Sequence, residues 1–430
     1  MQKYLLPLVG LLAVGCAQES DSSAALDEIA QDYLLLQLTI GETEAGYIDA
    51  YYGPEDVQQR AVAEAQEQTL TDLSRRSEEL SQRAQEFVDD GSEGDSDNER
   101  RARFLVAQLT AARTRLRMMQ GEEIPFVEEA KGLFGVNVEL IDLETLDPVI
   151  VEIDALVPGE GPLWRRLDNF DSQFNIPSER LGSVMDAAIA ECKRRTIAHI
   201  GLPDDESFTL EFVTDKPWGG YNYYQGGYRS KIEINTDLPI RLNRAVDLGC
   251  HEGYPGHHVF NALLEKNLVD DKGWIEFSVY PLYSPQSLIA EGSANYGIDL
   301  AFPGDEQLDF ETKVLAPLAG LPAEKLETYA KLRAARRALG PALYTISASY
   351  LADEIDAETA KLQLQKYLLV SPERAQQSLR FSDTYRSYVI NYGLGRDMVQ
   401  ASVESAGPDQ DARWERMEKL LSEPTLPTDL

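Results

Sequence analysis

The chain has 430 residues and a formal net charge of −33 at neutral pH. Hydrophobic residues make up 43% of it, enough to bury a sizeable core, which excludes a disordered chain. So negative a surface repels phosphate backbones, so we expect no nucleic-acid partner and attribute the charge to solubility. At roughly 100–200 residues per domain, the length allows two or three domains or one large helical domain.

The first residues carry the features of an export signal. An apolar run from Tyr4 to Gly15 follows a single lysine, and it is shorter than the roughly 20 residues that span a bilayer. Small residues stand directly before Cys16, as in bacterial lipoprotein signals, which this segment resembles. The resemblance implies removal of residues 1–15, lipidation of Cys16, a tether at 16–24, and a protein anchored in the bacterial cell envelope. The alternative is an ordinary signal peptide with an unrelated cysteine.

Hydrophobic periodicity predicts a mainly α protein with one small sheet, an α+β fold. Apolar residues recur at helical spacing in residues 27–40, 58–88, 99–119 and 177–201, and again beyond 285. Residues 208–235 instead alternate in the manner of strands, most clearly from Tyr228 to Asn235. We therefore predict an N-terminal helical region at 25–205 and a second region, with the strands and the chemistry, at 206–430.

Three of the four histidines fall within HEGYPGHH, residues 251–258. In the zinc motif H-E-x-x-H the two histidines share a helix face and the glutamate lies beside the bound water. Here Pro255 stands at the second histidine's position. On a straight helix His257 would face about 240° away from His251, and His258 would lie about 10 Å along the axis. Pro255 and Gly256 can bulge the helix so that His257 becomes the second ligand, with His258 as its rival.

A third ligand is expected from the segment LIAEGSANYGID, residues 288–299. Glu291 lies there among small and apolar residues on a predicted helix. Small neighbours let one helix approach another closely, and a buried glutamate needs a partner. In so acidic a chain the alternative is a solvated surface glutamate.

The two remaining cysteines, Cys192 and Cys250, are expected to be buried free thiols, although the sequence leaves their pairing open. Cys250 adjoins His251, but neighbouring residues on a helix point about 100° apart, which disfavours a shared metal.

Residues 221–297 resemble a bacterial family known as domain of unknown function 885. Its members carry His-Glu-x-x-Pro-Gly-His-His followed by Glu-Gly-Trp-Ala, and they are grouped with the gluzincin metallopeptidases. The resemblance implies a zincin-like catalytic region and one zinc ion, held by His251, by His257 or His258, and by Glu291, with Glu252 as general base. Ser293 replaces the family's tryptophan, which leaves the shape of the pocket open.

Weaker similarity extends to the C-terminal segment TYRSYVINYGLGRDMV. Tyr392 and Arg396 in this segment are therefore candidate donors to the oxyanion of a hydrolytic reaction. The alternative is a tyrosine of the core and an arginine of the surface.

The strand before the histidine motif is a candidate substrate site. In zincin peptidases an edge strand beside the active helix holds the substrate backbone by strand addition. Tyr228, Ile232 and Asn235 lie on the strand in that position, although it is also compatible with an ordinary edge strand.

These features predict a zinc-dependent hydrolase of the cell envelope that cleaves peptide bonds. The alternatives are a non-catalytic zinc-binding surface lipoprotein and a hydrolase of non-peptide amides or esters. A closed structural zinc site has no use for a carboxylate such as Glu252 beside a ligand, which favours an enzyme.

Overall fold

A computed structural model describes residues 12–89, 96–216 and 218–430, with side chains from residue 23 onward. Residues 1–11 and the side chain of Cys16 lie outside this description, so the signal peptide, the lipid anchor and the tether stay predictions. In the part described, helices dominate and the strands form two small sheets, which confirms the predicted α+β class. None of the helices in that part has both the length and the hydropathy to cross a bilayer.

The helices follow one another through nearly the whole chain. They are α1 (Leu12–Thr43), α2 (Glu55–Ala65), α3 (Leu70–Asp89), α4 (Asp97–Met119), α5 (Phe126–Phe134), α6 (Asp147–Leu156), α7 (Leu163–Asp171), α8 (Ser178–Thr196), α9 (Leu242–Leu248), α10 (His257–Leu264), α11 (Pro285–Ala301), α12 (Glu306–Phe310), α13 (Ala316–Ala319), α14 (Leu326–Arg337), α15 (Pro341–Leu351), α16 (Ala357–Tyr367), α17 (Pro372–Tyr385), α18 (Ile390–Glu404) and α19 (Gln410–Ser422).

The single helix predicted over residues 58–88 is in fact two helices, α2 and α3. The break arises from a reciprocal cap at the start of α3. Thr69 accepts a hydrogen bond from the backbone N–H of Asp72 at 3.2 Å, and the Asp72 carboxylate accepts one from the backbone N–H of Thr69 at 3.0 Å. Such a pair satisfies donors that the first turn of a helix leaves open, so it fixes a new helix start.

The strands are β1 (Ile48–Tyr51), β2 (Ser207–Val213), β3 (Gly220–Gly226), β4 (Arg229–Asn235) and β5 (Val279–Pro281). β1 pairs with β5, and the three-stranded sheet has the order β2-β4-β3. β4 is parallel to β2 and antiparallel to β3. The clearest strand of the sequence is therefore central, and its expected place at the sheet edge is wrong.

A main apolar core runs through the molecule, and a smaller one lies apart from it. The main core takes residues from both ends of the described chain, from Leu26 to Leu426, and contains most of the apolar residues of α10 and α11. The smaller core is built chiefly from α6 and from α14 to α17. Nearly every residue of α11, the helix that carries Glu291, is buried.

Cys192 and Cys250 form a disulfide, with their Cα atoms 5.4 Å apart. The expectation of two free thiols is therefore wrong, and Cys250 is not a thiolate ligand. Pairing depends on how α8 packs against the turn that carries Cys250, 58 residues later in the chain, which local sequence does not reveal. The bond anchors the residue directly before His251 to a long helix.

Candidate metal centre

The HEGYPGHH segment interrupts its helix. α9 continues into a π-helical turn at Gly249–Gly253, the Tyr254–Pro255 peptide is cis, and α10 begins at His257. The predicted bulge in one continuous helix is therefore a complete break between two helices. Gly256 makes the fold-back possible, because a Cβ at this position would lie 1.8 Å from the carbonyl oxygen of His251.

The break brings two histidines onto one glutamate. The Nε2 atoms of His251 and His257 are 3.1 Å apart, and Oε2 of Glu291 lies 3.4 Å from the first and 3.8 Å from the second. Two ligand atoms on a tetrahedral zinc, each about 2.0–2.1 Å from it, are separated by about 3.3 Å. The three atoms thus already have nearly the spacing that one zinc ion requires, and these residues can hold a metal.

One carboxylate oxygen of Glu291 faces the histidines, and the other accepts a hydrogen bond from a tyrosine. Its Oε1 accepts a hydrogen bond from the hydroxyl of Tyr388 at 3.0 Å, whereas its buried Oε2 has no hydrogen-bond partner in the described part of the chain. A buried carboxylate oxygen without a donor is costly. A metal ion between Oε2 and the two imidazoles would satisfy it, so this observation supports the fit.

α11, the helix that carries Glu291, packs closely against α18. A Cβ on Gly292, the residue after Glu291, would lie 2.5 Å from the carbonyl group of Gly395 on α18. Asn295 ties the same helices together, since its side-chain amide donates to the carbonyl of Tyr392 at 3.3 Å. The small residues of α11 therefore serve close contacts, as expected: Gly292 contacts α18, and Gly297 contacts Pro255 of the histidine segment, where a Cβ would lie 2.7 Å from the proline ring.

His258 does not join the cluster. It is fully buried, its Nδ1 lies 2.8 Å from the hydroxyl of Ser230, and its Nε2 lies 2.8 Å from the carboxylate of Glu206. Glu206 also binds Lys193 at 2.6 Å and the hydroxyl of Tyr254 at 2.6 Å. The geometry thus separates the two rivals: His257 faces His251 and Glu291, and His258 belongs to a buried network behind them.

Glu252 lies beside the cluster with little solvent contact. It is 5% exposed, and burial raises the pKa of its carboxyl group to about 7 despite the opposing effect of His251. Its Oε1 lies 2.7 Å from the point where a Cβ on Gly220 would be, so the missing side chain at Gly220 makes room for the carboxylate. Asn222 of the same strand donates to the backbone carbonyl of Glu252 at 2.7 Å. β3 therefore borders the site.

The ionisation of His257 and Glu291 suits metal binding. His251 differs from them: burial lowers its pKa, but its interaction with Glu291 and the charge of Glu252 raise it overall. Burial and the nearby His251 lower the pKa of His257 to about 4. Burial opposes ionisation of Glu291, but its interactions with His251 and His257 lower its pKa overall. A neutral imidazole and an ionised carboxylate are the forms in which these side chains bind metals.

Tyrosines line the side of the cluster formed by α18 and the turn before it. The rings of Tyr388 and Tyr392 are 5.9 Å apart. Burial, together with the charges of Glu291 and Glu252, raises the pKa of Tyr392 well above its usual range, so its hydroxyl stays a donor at neutral pH. Tyr392 is also 39% exposed, which places it at the boundary between the cluster and solvent.

Arg396 does not reach the cluster. It lies on the same helix as Tyr392, but its guanidinium binds Asp299 at 2.7 Å, Asp397 at 2.8 Å and Gln400 at 3.0 Å. These partners on α11 and α18 engage both terminal nitrogens of the guanidinium away from the metal ligands, so its expected role as an oxyanion donor does not fit the structure.

The three residues expected to bind substrate on β4 have structural contacts instead. The Tyr228 hydroxyl donates to Asp270, Ile232 is buried in the main core, and the Asn235 amide donates to two loop carbonyls. Strand addition needs an unpaired edge, and both edges of β4 are paired. The expectation for this strand is therefore wrong, and the edge strand next to Glu252 is β3.

Sequence reasoning missed several residues near the site. Tyr388 stands four residues before Tyr392, a spacing that would have placed both on one helix face. Asp49 of β1 accepts a hydrogen bond from Tyr221 of β3, and burial raises the pKa of Asp49 to about 6, with the charge of Glu291 adding to the effect. No local pattern marks Asp49, because more than 200 residues separate it from the ligands.

Comparison with known proteins leaves the family open. No family model matches the chain, and no curated protein matches it. Similar solved structures include a candidate lipoprotein from Colwellia psychrerythraea, at 13% identity and a TM-score of 0.48, covering 82% of this chain and 69% of that one. Metallocarboxypeptidase 1 of Trypanosoma cruzi has 12% identity and a TM-score of 0.43, covering 93% of this chain and 90% of its own. The M32 carboxypeptidase of Deinococcus radiodurans R1 has 13% identity and a TM-score of 0.35, covering 94% and 90%.

At these identities and scores the likeness carries no functional argument. The fold and the site by themselves define a class: a mainly α protein with small sheets and a prebuilt His-His-Glu group that can hold a metal ion. The resemblance to domain of unknown function 885 stays a prediction.

Proposed function

We propose that the protein is a zinc-dependent hydrolase that cleaves peptide bonds. The observation that carries the proposal is the set of His251, His257 and Glu291 ligand atoms, spaced 3.1–3.8 Å apart, with the buried carboxyl group of Glu252 next to them. Two histidines and one glutamate are a donor set that zinc accepts, and three protein ligands leave a fourth position open, as catalytic sites require.

The residues around the ligands can take different roles in peptide hydrolysis. A zinc ion bound there would polarise the substrate carbonyl and lower the pKa of a water molecule to about 7. Glu252 is placed to accept the proton of the attacking water and to return it to the leaving amine. The hydroxyl of Tyr388 is engaged by Glu291, so it holds that ligand in place. Tyr392, whose ring lies beside that of Tyr388, is the proposed donor to the tetrahedral oxyanion.

The edge strand β3 is the surface on which a peptide would align. Gly220 and Asn222 of this strand contact the side chain and the backbone of Glu252, respectively. A substrate strand that adds to β3 would run past the general base.

A cell-envelope location belongs to the same proposal. The Cys192–Cys250 disulfide favours an oxidising compartment, because disulfides are rare where glutathione and thioredoxin keep thiols reduced. The predicted lipoprotein signal that ends at Cys16 agrees with this location.

Turnover of a mixed peptide library by the purified protein tests the proposal. We expect cleavage that a chelator abolishes and that added zinc restores. A parallel library of esters and non-peptide amides distinguishes the kind of bond, since peptide hydrolysis should dominate. Stoichiometric zinc binding without turnover of any library would contradict the proposal and leave a zinc-binding surface protein.

A further inference from the structure

A basic group lies beside Glu252 although the chain as a whole is strongly acidic. Arg244 lies on α9, seven residues before His251 of the π-helical turn that follows this helix. Its side chain is 48% exposed, and the ion pair that the structure shows for it, with Asp247, is long at 3.4 Å. Arginine has five donors, so most of them remain available to a ligand.

The position of Arg244 relative to the general base follows from two neighbouring glycines. A Cβ on Gly219 would lie 3.8 Å from Nη2 of Arg244, and a Cβ on Gly220 would lie 2.7 Å from Oε1 of Glu252. The guanidinium and the carboxylate thus flank consecutive residues at the start of β3.

The chemistry of the proposed hydrolysis identifies an anion for Arg244 to bind. Glu252 returns a proton to the leaving amine, so the residue that leaves must lie on the Glu252 side of the site. If that residue is the last of the substrate, its α-carboxylate carbon lies at most about 3.6 Å beyond the carbonyl carbon under attack. An internal peptide bond would present a neutral amide at the same place.

We infer that Arg244 binds the C-terminal carboxylate of the substrate, so that the enzyme removes single residues from the C-terminal ends of peptides. This inference rests on the proposed function and names its substrate class. A charged hydrogen bond from arginine to a carboxylate, bidentate where the geometry permits, selects a free C-terminus over an amide.

A matched pair of peptides tests the inference: one N-acylated peptide with a free C-terminus and the same peptide as its C-terminal amide. For the zinc-loaded protein we expect kcat/KM to favour the free acid by about 10–100-fold, the worth of one or two charge-assisted hydrogen bonds. Arg244→Ala should remove most of this preference by slowing hydrolysis of the acid while leaving hydrolysis of the amide nearly unchanged. Arg244→Lys should retain part of it, because the charge remains but the planar fork is lost.

Arg194→Ala is the matched control, since Arg194 is an exposed arginine of α8 that pairs with Glu191. It should keep the wild-type preference, and all variants should keep wild-type zinc content and thermal stability. Equal cleavage of both peptides by the wild type, or an undiminished preference in Arg244→Ala, would overturn the inference while leaving the hydrolase intact. Cleavage of neither peptide would overturn the proposed function and the inference together.

Discussion

Alanine substitution of His257 should weaken zinc binding, whereas alanine substitution of the adjacent His258 should lower the stability of the fold. His257 is one of the proposed zinc ligands, whereas His258 is fully buried and hydrogen-bonded to Ser230 and Glu206. His257→Ala should therefore lose zinc affinity and keep the apo fold. His258→Ala should lose stability and keep a site that still binds zinc.

The size of each effect follows from the contacts. His258 makes one neutral hydrogen bond and one to a carboxylate, together worth about 2–4 kcal/mol of unfolding free energy. With an unfolding entropy of about 2.1 cal/mol/K per residue, this lowers Tm by about 2–5 °C in a chain of 430 residues. Loss of an outer-shell partner weakens metal binding by about 10–100-fold, so loss of the ligand His257 should cost at least about 100-fold.

Thermal unfolding in chelator and again with excess zinc separates the two effects. A ligand present at about 1,000 times its Kd stabilises the folded state by about 4 kcal/mol. We expect the zinc-dependent shift in the wild type and in His258→Ala, and little shift in His257→Ala. In chelator, only His258→Ala should melt early. A zinc shift that survives in His257→Ala and disappears in His258→Ala would refute the assignment of the two histidines.

Three further predictions concern groups around the site. Tyr388→Phe removes the hydrogen bond to Glu291 and should weaken zinc binding by about 10–100-fold in a chelator competition; an unchanged affinity would show that Tyr388 does not position Glu291. Reduction of the Cys192–Cys250 disulfide, which closes a loop of 58 residues, should lower the free energy of unfolding by about 4 kcal/mol in urea titrations, and an unchanged urea midpoint would contradict this. Burial opposes ionisation of Glu206, but hydrogen bonds from His258, Lys193 and Tyr254 lower its pKa to about 2. The stabilisation from this carboxylate should therefore be complete above about pH 4.5 and disappear as the pH falls towards 2. The difference in stability between wild type and Glu206→Gln should shrink over that range, and a constant difference would count against the network.

The parts of the site that were predictable come from short segments. His251, Glu252 and the 257/258 pair stand within eight residues, and Pro255 with Gly256 signalled that the helix could not be straight. Helical periodicity likewise predicted the long helices, because burial of one face repeats every three to four residues. What the sequence could not decide was the direction in which each adjacent histidine turns, since that depends on Ser230 and Glu206.

The parts that were missed depend on pairing between distant segments. Whether β4 is central or at an edge depends on which strands join it, and β2 joins it in parallel after the intervening β3. Cys250 meets Cys192 because α8 packs against the π-helical turn, which no local pattern encodes. Arg396 lies on the expected helix, but its guanidinium binds Asp299 of α11 and does not reach the metal ligands.

Replacement of Glu252, the proposed general base, tests the proposed hydrolytic mechanism most directly. Glu252→Gln preserves the size of the side chain but cannot accept a proton, so the variant should fold and bind zinc with wild-type stoichiometry. Its kcat on the best peptide substrate should fall by about 100-fold to 10,000-fold, or about 3–5 kcal/mol of barrier. The measurement is kcat and bound zinc on the same preparation of wild type and variant. A zinc-loaded variant that retains more than about a tenth of the wild-type rate would contradict the proposed mechanism.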